Sequence, residues 1–186
     1  MIFLHTGCGE NISSGTQSST ADGNDNPLLA EWSGPYGGLP AFDKMNLADI
    51  QPAMEIAMAA KLSDIEAIAN NSEAPDFANT IEAWERAGKA LDRVETYYYI
   101  WRGNLSSEEF RAIQGKIAPK LSELDSKVYQ NKALFERIKA VYDQSQKQPL
   151  EAEQQRLVDL IYTRFTMRGA ELDADAKAKY AAIDKE

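Results

Sequence analysis

The sequence predicts an all-α fold, and three observations carry that expectation. Apolar residues recur at spacings of three and four along most of the chain, the period of one helix face. Ser, Asn and acidic residues sit three apart at several points where such a stripe begins, the pattern of a capped helix start. No segment alternates apolar and polar residues over strand length with β-branched enrichment. About six helices result, in a bundle-like antiparallel lobe, with a polar tail before it and an extended Pro/Gly strap leading in.

Residues 1–25 form the tail. After Met1-Ile2-Phe3-Leu4 the chain is rich in Gly, Ser, Thr, Asn and Asp, a composition that cannot bury enough apolar surface to order itself. The strap follows. Between Asn26 and Met45 lie Pro27, Pro35 and Pro40 with Leu28, Leu29, Trp32, Tyr36, Leu39 and Phe42. The prolines and glycines stop helices, while the large apolar side chains argue for a segment packed on a surface.

The first helix is expected from about Pro52 to Asn70. Proline suits a first turn, where its missing N–H is not needed. Met54, Met58, Leu62, Ile65 and Ile68 make its stripe, with the methionines as core filler. Asn79, with Glu82 three residues on, opens a second helix that runs through Ile81, Trp84, Gly88, Leu91, Val94, Tyr98 and Trp101. Gly88 on the apolar face implies close approach of a neighbouring helix. Tyr97, Tyr98, Tyr99 and Trp101 cannot all face one side, so some of these rings pack and others are candidates to line a cavity. Ser106-Ser107-Glu108-Glu109 opens a third helix through Phe110, Ile113, Ile117, Leu121, Leu124 and Val128, with Pro119 inside it. Because an interior proline removes a backbone donor and usually kinks a helix, a kink or a junction of two helices is expected there. Asn131 caps a fourth helix to Tyr142. A fifth runs from about Glu151 to Met167, with Leu157, Leu160, Ile161 and Phe165 apolar and Gly169 as its C′ residue. A sixth begins near Asp173 or Asp175 and passes Tyr180 and Ile183. The chain stops at Glu186 without a helix-ending signal.

The composition excludes several functions. With 44% hydrophobic and 26% charged residues, the 186-residue chain can support a core, so disorder throughout is excluded. Lys plus Arg number 20 and Asp plus Glu 29, a net charge of −9 with no basic block, which speaks against nucleic acid as a partner. No apolar run approaches the ~20 residues of a membrane-spanning helix. One Cys excludes an internal disulfide framework. His5 and Cys8 are the sole members of their types and both lie in the tail, so no zinc site is expected within this chain. No phosphate-binding loop, dinucleotide fingerprint or nucleophile elbow is present. Glu151, Glu153, Asp159, Asp173 and Asp175 lie beside helix starts, where negative charge is favoured.

Leu4-His5-Thr6-Gly7-Cys8 looks like a degraded bacterial lipobox, with a flexible polar tether after it. His5 stands where that pattern prefers an aliphatic residue, and the stretch before it is short. Cys8 is thus a candidate lipid anchor. The expected location is the bacterial envelope or periplasm if Cys8 is lipidated, and the cytoplasm otherwise.

The ordered segments together resemble one family. Asn26-Pro27-Leu28-Leu29 and Leu39-Pro40-Ala41-Phe42-Asp43-Lys44 are similar to the N-terminal strap of the peptidyl-dipeptidase Dcp and oligopeptidase A group, the thimet oligopeptidase-like zinc metallopeptidases. Ile65 to Asn71, then Pro75, Phe77 and Asn79-Thr80-Ile81, resemble its helix, break and next helix start. Ala83 to Gly88, Arg93-Val94, Ile117 to Leu121 with Pro119, Tyr129 to Tyr142, and Glu153 to Leu157 continue the likeness, which covers about residues 26–186. The resemblance implies an all-helical enzyme of two lobes flanking a deep channel. Zinc would sit at its floor on an HExxH helix and a further Glu, and short peptides would be hydrolysed. This chain contains no HExxH. The resemblance therefore implies that residues 26–186 are the N-terminal lobe, one wall of the channel, truncated before the catalytic lobe that would be its partner. The chain alone is expected to be inactive. Tyr97, Tyr98, Tyr99 and Trp101 are the candidate substrate-facing residues; no catalytic or metal-ligating position can be carried over. The alternative is a stand-alone, non-catalytic helical binding module, a surface lipoprotein in one form.

Overall fold

The computed structural model describes residues 25–34, 38–172 and 175–176. Cys8, His5, the tail and most of the expected sixth helix lie outside the described residues, as do Pro35 and Tyr36.

The elements are helical throughout the described residues. They are α1 (Leu47–Ala69), a wide π-type turn (Phe77–Glu82) running into the short α2 (Ala83–Arg86), α3 (Lys89–Asn104), α4 (Glu108–Tyr129), α5 (Lys132–Ser145) and α6 (Ala152–Met167). The all-α expectation holds. α1 is the hub: it packs against α3, α4, α5 and the strap, while α5 packs against α6 and the π-type turn. The core runs through Ile50, Met54 and Ile65 of α1, Val94 and Tyr97 of α3, Phe110 and Ile117 of α4, Leu134 and Ile138 of α5, and Phe165 of α6. Rings of Trp84, Tyr129 and Phe165 meet edge-on or tilted at 4.9–6.2 Å, and Tyr142 stacks on Tyr162 at 3.9 Å.

The strap is packed through Leu28, Leu29 and Trp32, whereas Leu39 and Phe42, expected to pack as well, stay exposed. Asn26 accepts from the Leu28 N–H and donates its amide to the Asp49 carbonyl, which seats Leu28 in the core. Arg93 donates to the Leu29 carbonyl, and the Ala41 N–H donates to the Tyr97 hydroxyl at 2.8 Å.

Several boundaries differ from the sequence expectation, each for a local reason. α1 begins at Leu47, a turn before Pro52, because Asn46 caps it by accepting from the Ala48 N–H. Pro52 then lies inside the helix but faces solvent, where the carbonyl it fails to bond can be hydrated. The second helix start is capped by Asp76 rather than Asn79. Asp76 accepts from the Asn79 N–H at 2.7 Å and Asn79 accepts from the Asp76 N–H at 3.0 Å, so Asn79 is the third-position partner of a reciprocal cap. α4 is capped by Ser107, whose hydroxyl accepts from the Phe110 N–H. It continues as one helix through Pro119. Proline there is exposed, and so is Gly115, whose carbonyl loses its donor, so that carbonyl is open to solvent and the helix need not end.

The expected six-turn second helix is broken. At Gly88 the backbone turns left-handed (φ +81°), and a Cβ there would come within 2.7 Å of the Lys61 side chain. The expected close approach to α1 is therefore present, but it coincides with a break between α2 and α3. The Gly88 N–H donates to the Asp64 carboxylate at 3.0 Å, so the break is pinned to α1. Glycine alone adopts this backbone without a Cβ penalty. At the other end of the chain, Gly169 is the C′ residue as expected. Its N–H bonds the Thr166 carbonyl and the Ala170 N–H bonds that of Phe165, the paired bonds of a Schellman motif.

Among the described residues Arg137 is the buried charge. It sits 7% exposed on the inward face of α5. Its guanidinium donates to the Asn71 carbonyl (2.8 Å), the Glu73 carbonyl (2.9 Å), Asn79 Oδ1 (2.8 Å) and Thr80 Oγ1 (3.3 Å). The connection from α1 to the π-type turn is thereby tied to α5.

Candidate functional site

Residues 97–99 advance by about 100° each around α3, so three consecutive tyrosines sweep some 200° of its circumference. The structure resolves where each goes. Tyr97 is buried, anchoring the strap through its hydroxyl and meeting Trp32 and Phe42 edge-on at 6.2 and 6.0 Å. Tyr98 is buried against Phe110, with ring centroids 5.4 Å apart. Tyr99 is 50% exposed and leans edge-on against Tyr98 at 5.3 Å. Trp101, one turn beyond Tyr97, is half-buried against the core, and its indole N–H has no partner. Of the four candidates, Tyr99 is the one that presents its ring outward.

Glu95 lies one turn before Tyr99 and was not singled out by the sequence reading. Its carboxyl is held above the usual glutamate range, mainly by burial, with Asp92 and Asp125 adding to the rise and Lys61 opposing it. Burial also raises the Tyr99 hydroxyl, and Glu95 adds to that shift. The signal available in the sequence was the spacing of four between Glu95 and Tyr99, which places both on one face. Glu95 and Tyr99 thus form a small aromatic and acidic surface on α3. It can accept a hydrogen bond or stack against a flat or apolar group.

A second surface lies on α6. Leu157 is half-buried and Val158, Ile161 and Phe165 are buried, but Leu160, expected among the core stripe, is 51% exposed. Met167 is 78% exposed. These two share a shallow groove with Leu150, Arg156, Thr163 and Arg164. Among the described residues no group of three or more His, Cys, Asp or Glu side chains is arranged to hold a metal ion. Glu151 and Glu153 are exposed at the α6 start, and Asp159 accepts from Gln155. No helix among the described residues is long and apolar enough to cross a membrane.

The chain belongs to the family "Neurolysin/Thimet oligopeptidase, N-terminal domain", whose sequence profile matches residues 53–177. It is 35% identical over 161 residues to the dipeptidyl carboxypeptidase of Salmonella typhimurium, and 34% identical over 161 residues to that of Escherichia coli. Each match covers 87% of this chain and 24% of the relative, so the chain spans about a quarter of the length of the relatives it matches.

Proposed function

We propose that this chain is the channel-wall lobe of a zinc-dependent peptidase that hydrolyses short peptides, the HExxH catalytic part lying outside these residues. The observation that carries the reading is a match over 87% of this chain that accounts for 24% of dipeptidyl carboxypeptidases. The zinc implied by the family would be held by residues of the catalytic part. No chemical step is assigned to this lobe. Its contribution is shape: a rigid helical wall admits extended peptides and excludes folded chains. Tyr99 is the aromatic residue it offers to a passing peptide.

The 186-residue chain, purified and supplied with zinc, is expected to release no product from short peptides; metal-dependent turnover by pure material would refute the assignment. In the enzyme encoded by the complete reading frame, Tyr99→Ala is expected to raise KM for peptides with kcat retained. Unchanged kinetics would remove Tyr99 from the wall. An envelope location rests on Leu4 to Cys8 alone. It predicts incorporation of a labelled fatty acid that Cys8→Ser abolishes.

A further inference from the structure

The outward face of α6 presents two large apolar side chains, Leu160 and Met167, that no described residue covers. Arg156, Leu160, Thr163 and Met167 follow one another at intervals of four, three and four, so they line one side of the helix. That side is opposite the one that delivers Val158, Ile161 and Phe165 to the core. Leu160 at 51% and Met167 at 78% exposure are among the most exposed large apolar residues described. A helix that carries apolar side chains on two opposed faces is built to be covered twice.

We infer that this face seats the remainder of the peptidase polypeptide, the three quarters of the relatives' length that this chain does not span. The inference rests on the channel-wall reading and names the surface by which the lobe is held. Two observations select this occupant. The relatives run far beyond the matched region, so an intramolecular partner of the right size exists in them. α6 is the last long helix described, and the Gly169 turn directs the continuing chain from the end of α6 that carries Met167. The groove also carries Arg156 and Arg164 together with Glu153 and Asp159, so its rim is mixed in charge around the two apolar side chains. Met and Arg are enriched at interfaces.

Methionine oxidation reads this surface directly, because a thioether is oxidised according to its access to peroxide. Met58, at 7% exposure, is the internal standard for a covered thioether, against 78% for Met167. In the 186-residue chain Met167 is expected to oxidise about tenfold faster than Met58, as the exposure ratio indicates. In the polypeptide translated from the complete reading frame, Met167 is expected to slow to the Met58 rate. A Leu160→Lys, Met167→Lys double variant is expected to leave the helical signal and unfolding midpoint of the 186-residue chain unchanged, since both side chains face solvent. In the longer polypeptide it is expected to expose apolar surface to a hydrophobic dye. Equal Met167 oxidation in the short and long polypeptides overturns the docking face while leaving the peptidase reading intact. A reading frame that ends at Glu186 overturns both. Protection of Met167 in the short chain that grows with protein concentration assigns the face to a second copy and overturns the proposed occupant.

Discussion

Arg137→Met is the substitution that most directly tests how this lobe is held together. Methionine retains the apolar stem and removes the charged head, so the packing of α5 is largely conserved. What is lost is a set of four hydrogen bonds, three of them between 2.8 and 2.9 Å. Hydrogen bonds from a charged donor contribute about 1.5–3 kcal/mol each when taken singly. They do not sum fully. Thr80 keeps its bond to Asn79, and Asn79 keeps its part in the reciprocal cap with Asp76. The Glu73 residue is exposed, so its carbonyl is rehydrated. Removing the guanidinium also removes its desolvation cost. The net loss expected is about 2–4 kcal/mol, near the lower end of what breaking a buried charged network costs. For a body of this size that lowers the unfolding midpoint by roughly 5–15 °C. Thermal and urea unfolding followed by circular dichroism measure it, with the exposed Arg111→Met as the control. Amide exchange should accelerate selectively across residues 71–80, the segment the guanidinium holds. Arg137→Lys should recover part of the loss, since one ammonium can reach one or two of the four acceptors. A change within ~0.5 kcal/mol for Arg137→Met, with no selective exchange, would refute the clamp.

Gly88→Ala should cost about 1–2 kcal/mol in urea unfolding, because the left-handed backbone disfavours a Cβ and the Lys61 side chain must move aside. Tyr97→Phe removes the acceptor for the Ala41 N–H and should cost about 1 kcal/mol, with faster amide exchange at Ala41 as its local signature. Glu95 has a carboxyl raised above its ordinary value, so the folded state holds that proton more tightly than the unfolded chain does. Stability is therefore lost as pH rises through the window between the ordinary and the raised value. Glu95→Gln should raise the unfolding midpoint at neutral pH, with the gain vanishing below about pH 4.3; an unchanged difference across that range would count against the burial assigned to it. Asn131→Ala removes the acceptor for the Leu134 N–H and should cost about 1 kcal/mol.

The fold was legible where periodicity and burial coincide. Met54, Met58, Ile65 and Ile68 are all buried as their spacing requires. Legibility failed where two signals competed. Pro52 was a credible first-turn residue, and reading it so hid Ile50 and a full turn begun by Asn46. Gly88 announced a close approach, but the apolar stripe keeps its rhythm from Trp84 to Leu91 and so conceals the break. Leu160 sits between Leu157 and Ile161, and spacing alone could not separate the inward face from the outward one. Arg137 gave a weak signal: a long cation inside the Leu134, Ile138 and Val141 stripe. That pattern asks for a partner without saying where it lies, because carbonyl acceptors leave no mark in a sequence. The tyrosines of α3 were marked as a group by crowding. Which of them faces outward depends on how α3 is rotated against α1, a tertiary property.

That rotation links the fold to the proposed role. A continuous helix from Asn79 to Trp101 would carry Tyr99 in fixed phase with Trp84. The break at Gly88 releases α3 from the phase of α2, and the Asp64 carboxylate then holds the break to α1. Tyr97 fixes the roll of α3 through the strap, and Tyr98 fixes it through Phe110. Tyr99 emerges directly after two anchored neighbours, on a backbone whose roll they fix, with its ring edge-on to Tyr98. An aromatic side chain already ordered before a peptide arrives adds less entropy cost to binding than a mobile one. The glycine break, the strap contact and the paired buried tyrosines are thus one positioning device. If Tyr99 is a wall residue, Gly88→Ala and Tyr97→Phe should each raise KM in the full enzyme without touching the peptide, and by less than Tyr99→Ala.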